Sequence, residues 1–345
     1  MISPSYLDRL KRVVPRIIQE ETHYSDLQNA LRELMELCLE MTGLDFETEN
    51  NTTRNHIFLD SGKAIGTKSA GECINDIMRT KRFTRGICKA VEKTRATQES
   101  GPIQLLYTGT GPFATLILPL LTLYTPKEIQ LTLVEVNPLS LENCKEVLKC
   151  LNAEAYVSEF LNLDASTMQL ENPREFDIVI VECLQHALNK EPQVAITHNV
   201  MLQCKEDVVL IPQEISLQVS LIDVVKEFKQ LMDTGKRGGE NFFMHNKTVF
   251  VLNKERMRSF DVSLPLDFKF PQVAVPLSEY VPQSANAIAV TTEIHVFGEE
   301  RLGYKESGLT IPMVLKQLQP GLSIKEIITQ YELGNAPALR TQCIY

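Results

Sequence analysis

The sequence has no C-x-x-C pair, no excess of basic residues, no long charge-free stretch at its start, and no long apolar run that escapes glycine or proline. Each absence excludes something. The eight cysteines are scattered, with only Cys144 and Cys150 on one predicted helix. That argues against zinc or a disulfide framework and for reduced thiols in a cytosolic protein, with no metal expected. Formal net charge is -9 and pI about 5.4. Nucleic acid demands a basic surface, so no such partner is expected. A small molecule or a basic peptide suits the charge equally well. The opening stretch carries Asp8, Arg9, Lys11, Arg12 and Arg16, unlike a signal peptide, which again leads to a cytoplasmic expectation. Residues 105–124 carry no charge, but Gly109, Gly111, Pro112 and Pro119 interrupt them, and no membrane span is expected. Internal repeats and low-complexity tracts are missing, and so is tryptophan.

What is present is organised around residues 103–137. An apolar run, 103–107, reads as a buried strand, and Thr108-Gly109-Thr110-Gly111-Pro112 as a tight turn. The spacing predicts a helix over 113–124 and a second strand over 130–136 that carries Glu135 near its end. Strand, glycine turn, helix, strand, acid is the order of a nucleotide-type site in a parallel sheet. Glycine lets the backbone approach a ligand closely, and a carboxylate at a strand tip can accept two ribose hydroxyls. Glu135 lies 24 residues beyond Gly111, which suits that contact.

On the N-terminal side, Tyr6, Leu7, Leu10, Val14, Ile17 and Ile18 follow a helical period. Ser25 with Gln28 suggests a capping box before the stripe Leu27, Leu31, Leu34, Cys38 and Leu39, which ends before Gly43. Residues 44–56 read as a loop. Beyond them, Asp76, Arg79, Arg82 and Arg85 recur at intervals of three. Such a face is either a solvated helix surface or the source of an arginine that reaches a ligand carboxylate.

On the C-terminal side the alternation continues through a helix over 140–151, a short strand over 155–157, and a strand over 176–181 that runs into Glu182. Asp164, in a loop at the ligand edge, either bonds an adenine amine or shapes its own turn. Glu182 stands where open parallel sheets place ligands, and Glu191 follows nine residues later. Two converging carboxylates suit a planar guanidinium; otherwise they are a strand-end acid and a surface acid. A helix is expected over 192–203 and a strand over 207–211. After Pro212 the period changes to alternation at Ile215, Leu217, Val219 and Leu221 and again over 288–294, which predicts antiparallel β structure. Helical insertions are expected over 224–232 and 313–318, and an exposed loop over 236–239.

This order of parts resembles the protein arginine methyltransferases, over residues 57–345 and most strongly over 74–182. Thr108-Gly109-Thr110-Gly111 matches the second half of the family's G-x-G-x-G, with Tyr107 at its first glycine. Asp76-Ile77-Met78-Arg79-Thr80 matches D-x-x-R-T, and Glu182 and Glu191 match the double-E loop, spacing included. The resemblance implies an α/β, Rossmann-like class I methyltransferase domain over 101–213. N-terminal helices (1–100) precede it and a β-barrel-like domain (214–345) follows. It implies S-adenosyl-L-methionine as cofactor, held by Arg79, Thr108, Gly109, Gly111, Glu135 and Asp164. It also implies that Glu182 and Glu191 hold the substrate guanidinium, with Asp76 and His245 as a proton-accepting pair, and a homodimer. The family's threonine-histidine-tryptophan loop is altered here to Met244-His245-Asn246, and its W-M-G-Y to Cys183-Leu184-Gln185-His186. Cys73 stands where many members carry methionine. These departures point away from the usual peptide and toward free arginine or a related guanidino compound in natural-product biosynthesis. Protein arginine, another amine or hydroxyl, and a non-catalytic scaffold stand as the alternatives.

Overall fold

The computed structural model describes residues 5–47, 51–98, 100–223, 225–227, 229, 232, 243–260, 262–277, 285–319 and 324–345, with backbone alone at 51 and 243–246. Helix α1 (Tyr6–Ile18) buries Leu10, Val13, Val14 and Ile17, and the Ser5 hydroxyl caps it by accepting the Asp8 N–H at 3.2 Å. Helix α2 (Tyr24–Thr42) ends at Gly43, whose φ of 66° ends the helix. The Ser25–Gln28 capping box does not form. His23 is the N-cap, and the Ser25 hydroxyl bonds its Nδ1 at 2.7 Å. Residues 44–56 are not all loop: α3 (Asn51–Arg54) lies within them. A small antiparallel hairpin follows, β1 (Ile57–Leu59) and β2 (Gly62–Ala64). Then come α4 (Thr67–Glu72) and the long α5 (Ile77–Thr97), N-capped by the Asp76 carboxylate on the Arg79 N–H at 3.1 Å.

The centre of the protein is a five-stranded parallel sheet of β3 (Ile103–Thr108), β4 (Ile129–Val134), β5 (Val157–Leu161), β6 (Ile178–Val181) and β7 (Val209–Ile211). Its order is β5-β4-β3-β6-β7. Strands buried on both faces read as continuous apolar runs, as β3 and β6 do. Helices α7 (Pro138–Cys150) and α8 (Gln193–Gln203) make the crossovers into β5 and β7. The β3-to-β4 crossover departs from the expected helix over 113–124. It contains a 3-10 turn, Thr115–Ile117, and one turn of helix, α6 (Leu120–Leu123). Ala114 at φ 46° sets the start of the first, and Pro119 separates the two. Strand order reverses between β3 and β6, so the carboxyl ends of β3, β4 and β6 surround one crevice.

After Pro212 come β8 (Glu214–Ile222), β9 (Phe243–Asn253), β10 (Val273–Pro276), β11 (Ala287–Phe297), β12 (Glu300–Leu302), β13 (Met313–Gln317), β14 (Glu326–Glu332) and β15 (Ala338–Ile344). A barrel-like domain is expected, and among the described residues no closed barrel forms. The strands form two antiparallel sheets, β12-β11-β8-β9 with β13 also on β11, and β10-β14-β15. Aromatic side chains join them: Phe250 of β9 stacks on Tyr331 of β14 with centroids 4.4 Å apart, and Phe270 meets Phe250 edge-on at 5.1 Å. Residues 313–317 form a strand rather than a helix, because Met313 and Val314 pair with Val290 and Ala289 of β11. The expected helix over 224–232 falls partly, and the loop over 236–239 wholly, outside the described residues. Among the described residues no helix is long and apolar enough to cross a membrane.

Helix α5 fastens the parts together. Arg82 and Arg85 reach Glu300 of β12 at 3.0 and 2.8 Å, Lys89 joins them, and Glu300 is 1% exposed. Arg85 also donates to the Ile18 carbonyl at 2.8 Å. These two arginines belong to a structural cluster, and of the three arginines on that face only Arg79 turns to the crevice.

Candidate functional site

The crevice contains a cavity of about 460 Å³. The turn after β3 forms its floor. Gly109 (φ 77°) packs so closely on the following strand end that a Cβ there would stand 2.8 Å from the Glu182 carbonyl and 2.3 Å from the Cys183 sulfur. Gly111 (φ 60°) presents its N–H to the Glu135 carboxylate at 2.8 Å. The other Glu135 oxygen accepts the Asn137 N–H at 2.9 Å. Burial raises the Glu135 pKa, and these N–H donors oppose the rise. Glu135 is thus aimed by the turn it faces, and its carboxylate keeps acceptor capacity for a ligand hydroxyl. Thr110 lines the cavity. Thr108, expected to do so, does not: it is the last residue of β3, fully buried, and its hydroxyl donates to the Ile180 carbonyl at 3.2 Å.

Arg79 and Glu182 meet face to face. Arg79 Nε donates to Glu182 Oε1 at 2.7 Å, and Nη2 to Oε2, a bidentate fork. Nη1 donates to the Cys73 carbonyl at 3.1 Å. Burial works against the Arg79 charge, the Glu182 carboxylate outweighs it, and its pKa lies above the ordinary value. Three of the five guanidinium N–H donors are engaged and two remain. The family resemblance implies a separate ligand for each of these residues; in the fold each is the other's partner.

Glu191 lines the same cavity and its carboxylate has no hydrogen bond among the described residues. Burial, then the charge of Glu182, pushes its pKa up to about 7, while Lys63 and Arg79 hold it down. The loop that carries both acids is strained, with Ala187, Leu188 and Lys190 at φ 53°, 54° and 65°. Non-glycine residues resist that region by roughly 1–2 kcal/mol each. Neighbours compensate. Ala187 N–H donates to the Thr292 hydroxyl (3.1 Å), the Tyr331 hydroxyl to the Leu188 carbonyl (2.7 Å), and Lys190 N–H to the Pro337 carbonyl (2.7 Å). The antiparallel sheets therefore hold the acidic loop in place.

Other expected residues are placed as follows. Asp76 lines the cavity, but its carboxylate serves the fold: besides capping α5 it accepts the Ser307 hydroxyl at 2.6 Å and the Gly308 N–H at 2.7 Å. The side chain of His245, its expected partner, lies outside the described residues, and the backbone pairs with Leu221. Asp164 lines the cavity while Oδ1 accepts the N–H and hydroxyl of Ser166 at 2.8 and 2.7 Å, so it shapes its own turn. Cys73, Tyr107 and His186, the sites of the departures from the family pattern, line the cavity, and so do His56 and Lys63, which the sequence does not mark. Asp60-Ser61-Gly62 is a hairpin-turn signal that places Lys63 on a strand.

No protein-family model matches the sequence, and no curated protein matches it. Among solved structures, the Trypanosoma brucei PRMT1 enzyme-prozyme heterotetrameric complex with AdoHcy aligns over 79% of this chain and 96% of that one, with a TM-score of 0.45 at 12% identity. A likeness that slight assigns neither fold nor activity, which rest here on the residues themselves.

Proposed function

We propose that the protein is an S-adenosylmethionine-dependent N-methyltransferase that acts on a guanidino group of a small molecule, free L-arginine or a close relative. The observation that carries this reading is one cavity. It joins a strand-tip acid oriented by a glycine turn to an arginine with two spare donors and two buried carboxylates. A volume of about 460 Å³ lies within the roughly 300–1,000 Å³ typical of small-ligand sites.

The donor set fits the cofactor. Glu135 offers lone pairs to ribose hydroxyls, the Gly109–Gly111 turn permits close approach, and the two remaining Arg79 donors suit a carboxylate. Bound there, the cofactor would supply a methyl group on a sulfonium centre. The chain's own residues do the rest. Glu191 receives a guanidinium as its unpartnered counter-charge. Glu182, oriented by Arg79, has lone pairs left for a second contact. Two fixed carboxylates orient one guanidino nitrogen and favour charge at the others, so catalysis rests on positioning and electrostatics. The proton released from the methylated nitrogen passes to a Glu191 oxygen, whose pKa of about 7 suits a general base.

Calorimetric titration with S-adenosylhomocysteine tests the cofactor half. Binding by the parent, weakened about tenfold or more in Glu135→Ala, supports it; no binding by the parent overturns it.

A further inference from the structure

Most charged side chains that line the cavity already have a partner: Asp76 with Ser307 and Gly308, Arg79 with Glu182, Glu135 with Gly111 and Asn137, Asp164 with Ser166. Two do not. Among the described residues, neither Glu191 nor the Lys63 ammonium makes a side-chain hydrogen bond or ion pair, with each other or with any other group. They are close enough for the Lys63 charge to oppose the rise in the Glu191 pKa. Burial lowers the pKa of His56 and His186, which favours the neutral form of both. Lys63 is then the unpaired cation of the cavity.

The spacing between the two is built in. Lys63 N–H donates to the Lys190 carbonyl at 2.7 Å, one residue before Glu191. Gly62 packs so tightly there that a Cβ would stand 2.8 Å from the Lys190 oxygen and 3.1 Å from the Pro192 nitrogen. At its turn the hairpin is tied to the Asp164 turn by Ser166 and Ser61 hydroxyls 2.9 Å apart. Backbone contacts thus fix the strand of an unpartnered cation against the segment of an unpartnered anion, and the two side chains make no ion pair with each other. A ligand that carries both charges completes the pair.

We propose that Lys63 binds the carboxylate of the substrate, so that the cavity selects a free guanidino amino acid over a guanidine that lacks the carboxylate or has it in peptide linkage. This rests on the guanidine reading of the site and names its substrate class. It also assigns a specificity role to a residue outside the double-acid loop.

The test is calorimetry at about pH 8 with S-adenosylhomocysteine present. L-arginine and its decarboxylated analogue agmatine are titrated into the parent, Lys63→Met and Lys63→Arg, each with its melting temperature measured. The expected result is that Lys63→Met weakens L-arginine about tenfold to a hundredfold. Agmatine should hold or tighten, because a repelling cation has gone, and Lys63→Arg should recover most of the arginine affinity. Equal loss of both ligands in Lys63→Met, or a parent that binds agmatine as tightly as arginine, overturns the role of Lys63 and leaves the guanidine site standing. A parent that binds neither guanidine overturns both.

Discussion

Helix α5 carries two buried Arg–Glu systems, and the difference between them separates structure from chemistry. At its middle, Glu300 is 1% exposed and answers Arg82, Arg85 and Lys89 together. Three cations share that carboxylate, and it ties helix α5 to β12. At the helix start, Glu182 answers Arg79 alone, lines a cavity, and has Glu191 unpartnered nearby. The residue types are the same, but the second system has lone pairs and charge left over. Capacity for a ligand lies in what the fold leaves unsatisfied, not in the presence of an arginine or a glutamate.

Substitutions can break that contrast at either end. Glu182→Gln should have the largest effect, lowering kcat/KM for guanidine methylation by about a hundredfold to a thousandfold, measured by turnover with fold checked by circular dichroism. Glu300→Gln should do the reverse: a stability loss of about 3–5 kcal/mol in urea denaturation, with S-adenosylhomocysteine affinity unchanged once the protein is folded.

Glu191 gives a third effect, set by pH. Its folded pKa of about 7 lies above the ordinary carboxylate value of 4.5. The folded state therefore holds the proton more tightly, and ionisation removes stability as pH rises from about 4.5 to about 7. Glu191→Gln should be more stable than the parent at about pH 8, by roughly 1–3 kcal/mol, and equal to it at about pH 4, as read from melting curves. Guanidine affinity of the parent should rise as pH passes through 7 and level off above, and the variant should lose that slope. The smallest effect belongs to Ser307→Ala, which removes one of the bonds to Asp76 and should cost about 1 kcal/mol with little change in ligand affinity.

Much of the crevice was legible in the sequence because buried parallel strands leave a plain trace. The runs that became β3, β4 and β6 end at Gly109, Glu135 and Glu182, and chain order sufficed to bring those ends together. Pairings across long separations were not legible. Arg79 and Glu182 lie 103 positions apart, and sequence shows two charges without showing that each satisfies the other. The crossover over 113–124 looked helical because its apolar count dominated, while Pro119 and the left-handed Ala114 determined the backbone. Residues 313–318 lacked a decisive period, and pairing with β11 made most of them a strand. Lys63 is not legible in the sequence, because one lysine on a short hairpin has no pattern. Its meaning comes from the Gly62 packing that sets it beside Glu191.

The central claim is that the unsatisfied acid of this cavity holds a guanidinium for methyl transfer. The most direct test is to incubate the protein with S-adenosylmethionine and L-arginine and to follow arginine by mass spectrometry, with Glu191→Gln alongside. The account expects the mass of one added methylene on arginine, formed by the parent and sharply reduced in the variant. Cofactor binding with arginine left unmodified, or equal product from the variant, would contradict it.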